Sequence, residues 1–166
     1  MMPALPPPAV TVPAAPAPVQ VVNRFSFRLH APAAQVAPLF GAQAERAWAG
    51  PDWQPTFLFP QPPADVEGAV FTLAHGTRTA TWVNTRFDLK AGRMEYVYVI
   101  PEVMTAAIAV ALRPVSADET IVEVTYRRTA LDAQANEVVA AMGVKDAASG
   151  PEWKAQIEAF WAGSQR

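Results

Sequence analysis

The sequence predicts an α+β protein: a seven-stranded antiparallel sheet wrapped around a long C-terminal helix, with two short helices after strand one. Three observations lead there. Between Trp82 and Arg128 the chain runs in alternating segments joined by short connections, and short connections imply antiparallel pairing because parallel strands need long crossovers. After Thr129 the hydrophobic period changes, and Trp153, Ile157, Phe160 and Trp161 recur at three- and four-residue spacing, which marks one apolar helix face. Finally, 166 residues, 51% of them hydrophobic, suffice for one domain with a sizeable core.

The elements follow in order. Residues 21–30 alternate, with Phe25, Phe27 and Leu29 on one face and Arg24, Ser26 and Arg28 on the other, as in a half-buried strand. Pro32 suits a first helical turn, where its missing donor would be unpaired anyway, and Val36, Leu39 and Phe40 carry a short helix to Gly41. A second short helix, residues 42–49, presents Ala44, Ala47 and Trp48 and stops at Gly50-Pro51. Residues 53–59 are aromatic and framed by prolines, which fits a strand at a sheet edge. Strands over 70–75, 78–89, 94–100, 105–113 and 120–128 complete the sheet, with turns at His75-Gly76-Thr77, Lys90-Ala91-Gly92-Arg93 and Ser116-Ala117-Asp118-Glu119. Asp132 can cap the terminal helix, and Gly143 and Ser149-Gly150-Pro151 divide or kink it.

Strand parity gives an inner face. Glu95 points to water, so Met94, Tyr96, Tyr98 and Ile100 turn toward the helix; Glu123 and Arg127 likewise send Val122, Val124, Tyr126 and Arg128 inward. Met104, Ala106, Ile108, Val110 and Leu112 form the matching set between them. The strand over 78–89 resists this rule, because Trp82 shares the parity of Arg86 and Asp88; a bulge or a covered outer patch would each reconcile it. Three tyrosines on one concave face matter, since a buried hydroxyl needs a partner that can be a ligand oxygen or an ordered water. The alternative is three ordinary core aromatics with hydroxyls at the rim.

Composition excludes several classes. A formal charge of −2 offers no broad basic footprint for nucleic acid. With no cysteine there is no disulfide, thiolate metal site or cysteine nucleophile, which suits a reducing, cytoplasmic setting. His30 and His75 lie far apart and fit no two-histidine metal spacing, so neither a metal nor another cofactor is expected. Residues 1–19 are rich in proline and alanine and lack a basic leader region; they read as a disordered or polyproline-like arm, with residues 20–166 as the single domain. No apolar run approaches the length of a membrane helix, so the chain is not expected to span a membrane.

The order of elements, with Glu45-Arg46-Ala47-Trp48, Trp53-Gln54-Pro55, Thr81-Trp82-Val83, Phe87-Asp88, Met94-Glu95-Tyr96 and the run from Val124 to Leu131, resembles bacterial members of the SRPBCC superfamily. That group has the helix-grip fold and includes START lipid-transfer domains, the birch pollen allergen group and aromatic polyketide cyclases. The likeness covers roughly residues 20–163, and its patterns mark a fold and carry no catalytic signature. It implies a cavity between sheet and helix, lined by Phe57, Phe71, Tyr96, Tyr98, Tyr126, Met142 and Trp153. Ring-hydroxylase subunits of the group would need a two-histidine, one-carboxylate iron site, for which this chain has no residue cluster.

Because one fold hosts many activities, three classes stay open. The first is a noncatalytic carrier or sensor of a small hydrophobic molecule, such as a lipid or an aromatic or polyketide-like metabolite. The second is a cyclase- or dehydrase-like enzyme, in which His75, if inward, is the base and Tyr96 or Tyr98 orients a substrate oxygen; a turn histidine without a carboxylate partner argues against it. The third is a protein-interaction module of the chaperone-activator kind. Glu102 and Arg128 are further polar candidates, although a strand-end glutamate is usually solvated and an arginine can snorkel to the rim.

Overall fold

A computed structural model describes residues 16–164. The seven strands are β1 (Gln20–Leu29), β2 (Thr56–Phe59), β3 (Val70–His75), β4 (Arg78–Asp88), β5 (Arg93–Ile100), β6 (Met104–Ser116) and β7 (Glu119–Ala130). They form one antiparallel sheet in the order β1-β7-β6-β5-β4-β3-β2, so chain neighbours from β2 to β7 are also sheet neighbours. Only β1 departs from this meander: it crosses to pair with β7, from Gln20 opposite Thr129 to Leu29 opposite Thr120. Most of the expected arm lies outside the described residues. Its last part is anchored, because the Asn136 side chain accepts from Val19 N and donates to Ala17 O, both at 2.9 Å.

The helical segments are shorter than their apolar spacing suggests. Helix α1 (Ala33–Val36) passes directly into a 3-10 turn over Ala37–Phe40, and a second 3-10 turn spans Ala44–Ala47. Pro38 cannot supply a helical donor, and Gly41 is extended, so neither segment can propagate. Val36 and Phe40 are fully buried, so the first turn lies against the core through its apolar face; the second buries Glu45 instead, with Ala44 half-buried and Ala47 exposed, and only Trp48 after it joins the core as expected. Trp53 lies outside β2; its indole N–H donates to Ala42 O at 2.8 Å, which joins that loop to the link between the two turns.

The C-terminal segment is in two parts, α2 (Asn136–Ala147) and α3 (Gly150–Ser164), separated at Ala148-Ser149. Asp132 caps the 3-10 turn Ala133–Ala135 that leads into α2, accepting from Gln134 N at 2.8 Å. Two glycines allow close approach to β1. A side chain at position 143 would meet Asn23 and Val21, and one at 150 would meet Phe25 and the Ser26 carbonyl. Among the described residues, no helix is long and apolar enough to cross a membrane.

The parity conflict in β4 resolves as a bulge. Pairing with β5 shifts between Asn84 and Arg86, so Trp82 and Asn84 are buried while Arg86 is exposed. The extra residue reverses the facing of every side chain beyond it, which no strict two-residue alternation can show.

Candidate functional site

Two cross-strand rows build the inner wall. In the first, Trp82, Tyr98, Ala106 and Arg128 stand opposite one another across β4, β5, β6 and β7. In the second, Asn84, Tyr96, Ile108 and Tyr126 do the same. Ala106 is the small member of the first row, and over it the Arg128 guanidinium reaches Tyr98, donating Nη1–H to the phenol oxygen. The same guanidinium binds Asp146 of α2 in bidentate fashion, Nε to Oδ2 at 2.6 Å and Nη2 to Oδ1 at 2.8 Å. Its carbon also lies 4.8 Å from the centre of the Tyr126 ring. Burial alone would lower the Arg128 pKa, but the bonds to Asp146 and Tyr98 more than offset it, and the guanidinium stays charged.

Beside this pair stands a stack of flat rings. Trp82 and Tyr98 lie 4.0 Å apart between centroids and 23° from parallel, and the His75 ring lies 5.3 Å from Tyr98 at the same angle. Trp48 and Trp153 close the far side, 5.5 Å apart and edge to face. Between the sheet, the turn at Ala44–Ala47 and helices α2 and α3 is a cavity of about 360 Å³. Tyr96, Tyr98, Tyr126 and Arg128 line it from the sheet, Met142 and Asp146 from α2, and Trp153 from α3.

The wall holds polar atoms without partners. Trp82 Nε1, His75 Nε2 and the Tyr96 hydroxyl are buried and make no hydrogen bond among the described residues. Such groups cost stability unless something satisfies them. Burial, then the nearby Arg128 charge, lowers the His75 pKa and keeps its imidazole neutral near pH 7. Burial, then Asp65, holds the Glu45 carboxyl well above the usual carboxylate range. Burial also raises the Tyr98 phenol, although the Arg128 charge and hydrogen bond act against it. The cavity therefore surrounds one internally compensated ion pair with groups whose charged forms burial disfavours.

No protein-family model matches the chain, and no curated protein matches its sequence. Solved structures do match its shape. Norcoclaurine synthase from Thalictrum flavum, in complex with dopamine and hydroxybenzaldehyde, superposes with a TM-score of 0.57 at 9% identity, over 75% of this chain and 78% of that one. CalU16 from Micromonospora echinospora gives 0.54 at 15% identity, over 87% and 86% of the two chains. A Thermobifida fusca protein solved by NMR gives 0.53 at 19% identity, over 77% and 91%. The chain has the helix-grip fold. At these identities the likeness is one of fold.

Within this helix-grip frame, Tyr96, Tyr98, Tyr126, Met142 and Trp153, named from strand parity and the family resemblance, all lie on the cavity wall, and so does His75, whose facing the sequence left open. Phe57 and Phe71 do not line it. Their rings stack 5.4 Å apart, and Phe71 lies 5.6 Å from Trp82, so the larger indole stands between them and the cavity. Glu102 is at a β-turn away from the cavity, where it pairs with Arg78 at 3.3 Å. Among the wall residues that escape the sequence reading as site residues are Glu45, Trp48, Trp53, Trp82 and Asp146. Glu45 carried no signal in the sequence, because its neighbour Arg46 makes it look like half of an ordinary surface charge pair.

Proposed function

We propose that this chain belongs to the SRPBCC superfamily and binds one small hydrophobic molecule, an aromatic or polyketide-like metabolite bearing oxygen, between the sheet and the C-terminal helices. The observation that carries this reading is an aromatic cavity of about 360 Å³ whose buried Trp82 N–H, Tyr96 hydroxyl and His75 nitrogen have no partner among the described residues. Ligand sites combine an apolar wall with a few placed polar groups, and this volume is near the lower end of their range, which suits one or two rings better than a two-chain lipid. Norcoclaurine synthase, of the same fold, holds dopamine and hydroxybenzaldehyde, which supports the ligand class by analogy. Native mass spectrometry and thermal-shift screening of lipids and aromatic metabolites test it. Retained or stabilising aromatic compounds support the reading; stabilisation by none of them overturns it.

A second reading, a cyclase- or dehydrase-like enzyme, draws on one arrangement. His75 is a neutral imidazole with a free Nε2, stacked on Tyr98, whose oxygen already accepts from Arg128 and whose proton is thereby left to point elsewhere. A base beside an oriented phenol suits removal of a proton next to a ligand carbonyl, with the phenol bonded to the carbonyl oxygen as charge develops there. Full turnover of polyketide-like substrates by the His75→Ala variant would remove His75 from that role.

A further inference from the structure

The second turn, which carries Glu45, is held by contacts on several sides. Asp65 accepts from Gln43 N at 2.8 Å and Ala44 N at 3.0 Å, and it fits only because residue 41 is glycine: a Cβ there would lie 2.2 Å from the Asp65 carboxyl. The Glu45 N–H bonds Gly41 O at 2.8 Å, and the Glu45 carbonyl accepts from Trp48 N and Ala49 N. Indole N–H groups fix both flanks, Trp48 to Leu39 O and Trp53 to Ala42 O, each at 2.8 Å. The backbone is thus determined from every side.

The side chain it presents is 8% exposed and reaches the cavity wall, yet its carboxyl makes no hydrogen bond or ion pair among the described residues. Its neighbour Arg46 does not compensate it, being turned outward to Gln43, Gln54 and Pro55 O. Across the cavity Arg128 is already committed to Asp146. Tyr96 stands on the adjoining row, 5% exposed, its hydroxyl equally without a partner, and close enough to Glu45 for a charge there to raise the phenol. A site with only a packing role would favour apolar side chains, since a buried hydroxyl without a partner costs stability, as does a carboxyl on a largely buried residue that no cation or donor meets.

We propose that Glu45 and Tyr96 form a subsite that recognises an uncharged hydroxyl or carbonyl oxygen on the ligand. Burial, then Asp65, favours the protonated form of the Glu45 carboxyl, and in that form the acid and the phenol each offer one O–H donor and lone pairs, so together they match a group that both donates and accepts, such as a phenol, or one that accepts twice, such as a ketone. This inference rests on the ligand-binding reading above and narrows it to molecules with a neutral oxygen at one end.

The test uses two probes of nearly equal shape, 2-naphthol and 2-methylnaphthalene, titrated calorimetrically into wild type, Glu45→Leu, Glu45→Gln and Tyr96→Phe, with the thermal midpoint of each variant confirming its fold. Wild type should prefer the naphthol about tenfold or more, because only the hydroxyl can bond the Tyr96 phenol and the Glu45 carboxyl. Glu45→Leu and Tyr96→Phe should each bring the two affinities toward parity, whereas Glu45→Gln, still neutral and able to donate and accept, should keep most of the preference. Equal binding of both probes by wild type, or a preference that survives Glu45→Leu, overturns the subsite and leaves the ligand-binding reading standing. Binding of neither probe by any form overturns the subsite, while the ligand-binding reading falls only with the wider screen above.

Discussion

Arg128 and Asp146 carry the two side-chain charges most deeply buried among the ion pairs, with 8% and 9% of each side chain exposed. Removing one partner strands the other in a low-dielectric setting. Arg128→Met or Asp146→Asn should therefore lower unfolding free energy by about 3–5 kcal/mol, while Arg128→Met with Asp146→Leu should recover most of that loss in urea titrations. Glu45 sets a different dependence. Its carboxyl in the unfolded chain ionises at the ordinary value, but in the fold only at higher pH, so between the two the unfolded state binds fewer protons. The stability of wild type relative to Glu45→Gln should be highest below the ordinary glutamate pKa and fall as pH rises through the raised one. The groups that face Glu45, namely Asp65, Tyr96 and Tyr126, are common to both proteins and cancel in that difference. Urea midpoints collected across the acid-to-neutral range check the sign; a difference that does not change with pH would show Glu45 ionised alike in both states.

At the scale of elements, the turn at Ala44–Ala47 depends on the space at Gly41. Gly41→Ala should displace Asp65, free the Gln43 and Ala44 amides, and cost about 1–2 kcal/mol, the range of a lost helix cap. Faster amide hydrogen exchange at residues 43–45, with β6 and β7 unaffected, is the expected signature. This turn also marks where sequence stops being sufficient. The strands were legible because Met94, Tyr96, Tyr98 and Ile100, or Val122 and Val124, alternate with charged or exposed residues, and parity alone places all of them inward. Parity failed at β4, since the bulge at Asn84 and Arg86 leaves no mark on composition. The Arg128–Asp146 pair was illegible for another reason: its members lie on different elements, and α2 shows too weak an amphipathic pattern to orient Asp146 from sequence. The wall position assigned to Phe71 went instead to Trp82, its partner across β3 and β4, because register decides which ring is in front.

For the molecule as a whole, the crossing of β1 to β7 brings the first and last strands together, and α2 and α3 then lie over β1, so the cavity is enclosed by parts far apart in sequence. A ligand held there stabilises the entire fold by mass action. At one hundred times its Kd it should add about 2.7 kcal/mol to unfolding, read as a rise in the thermal midpoint that grows with the logarithm of ligand concentration. Four of the five tryptophans, Trp48, Trp53, Trp82 and Trp153, lie on the cavity wall, and Trp82 is stacked on Tyr98 at 4.0 Å. The indole emission of this protein is consequently mostly emission from the cavity wall: a ring entering the cavity should quench or shift most of the fluorescence at once, so that the unlabelled chain would report occupancy of the proposed site.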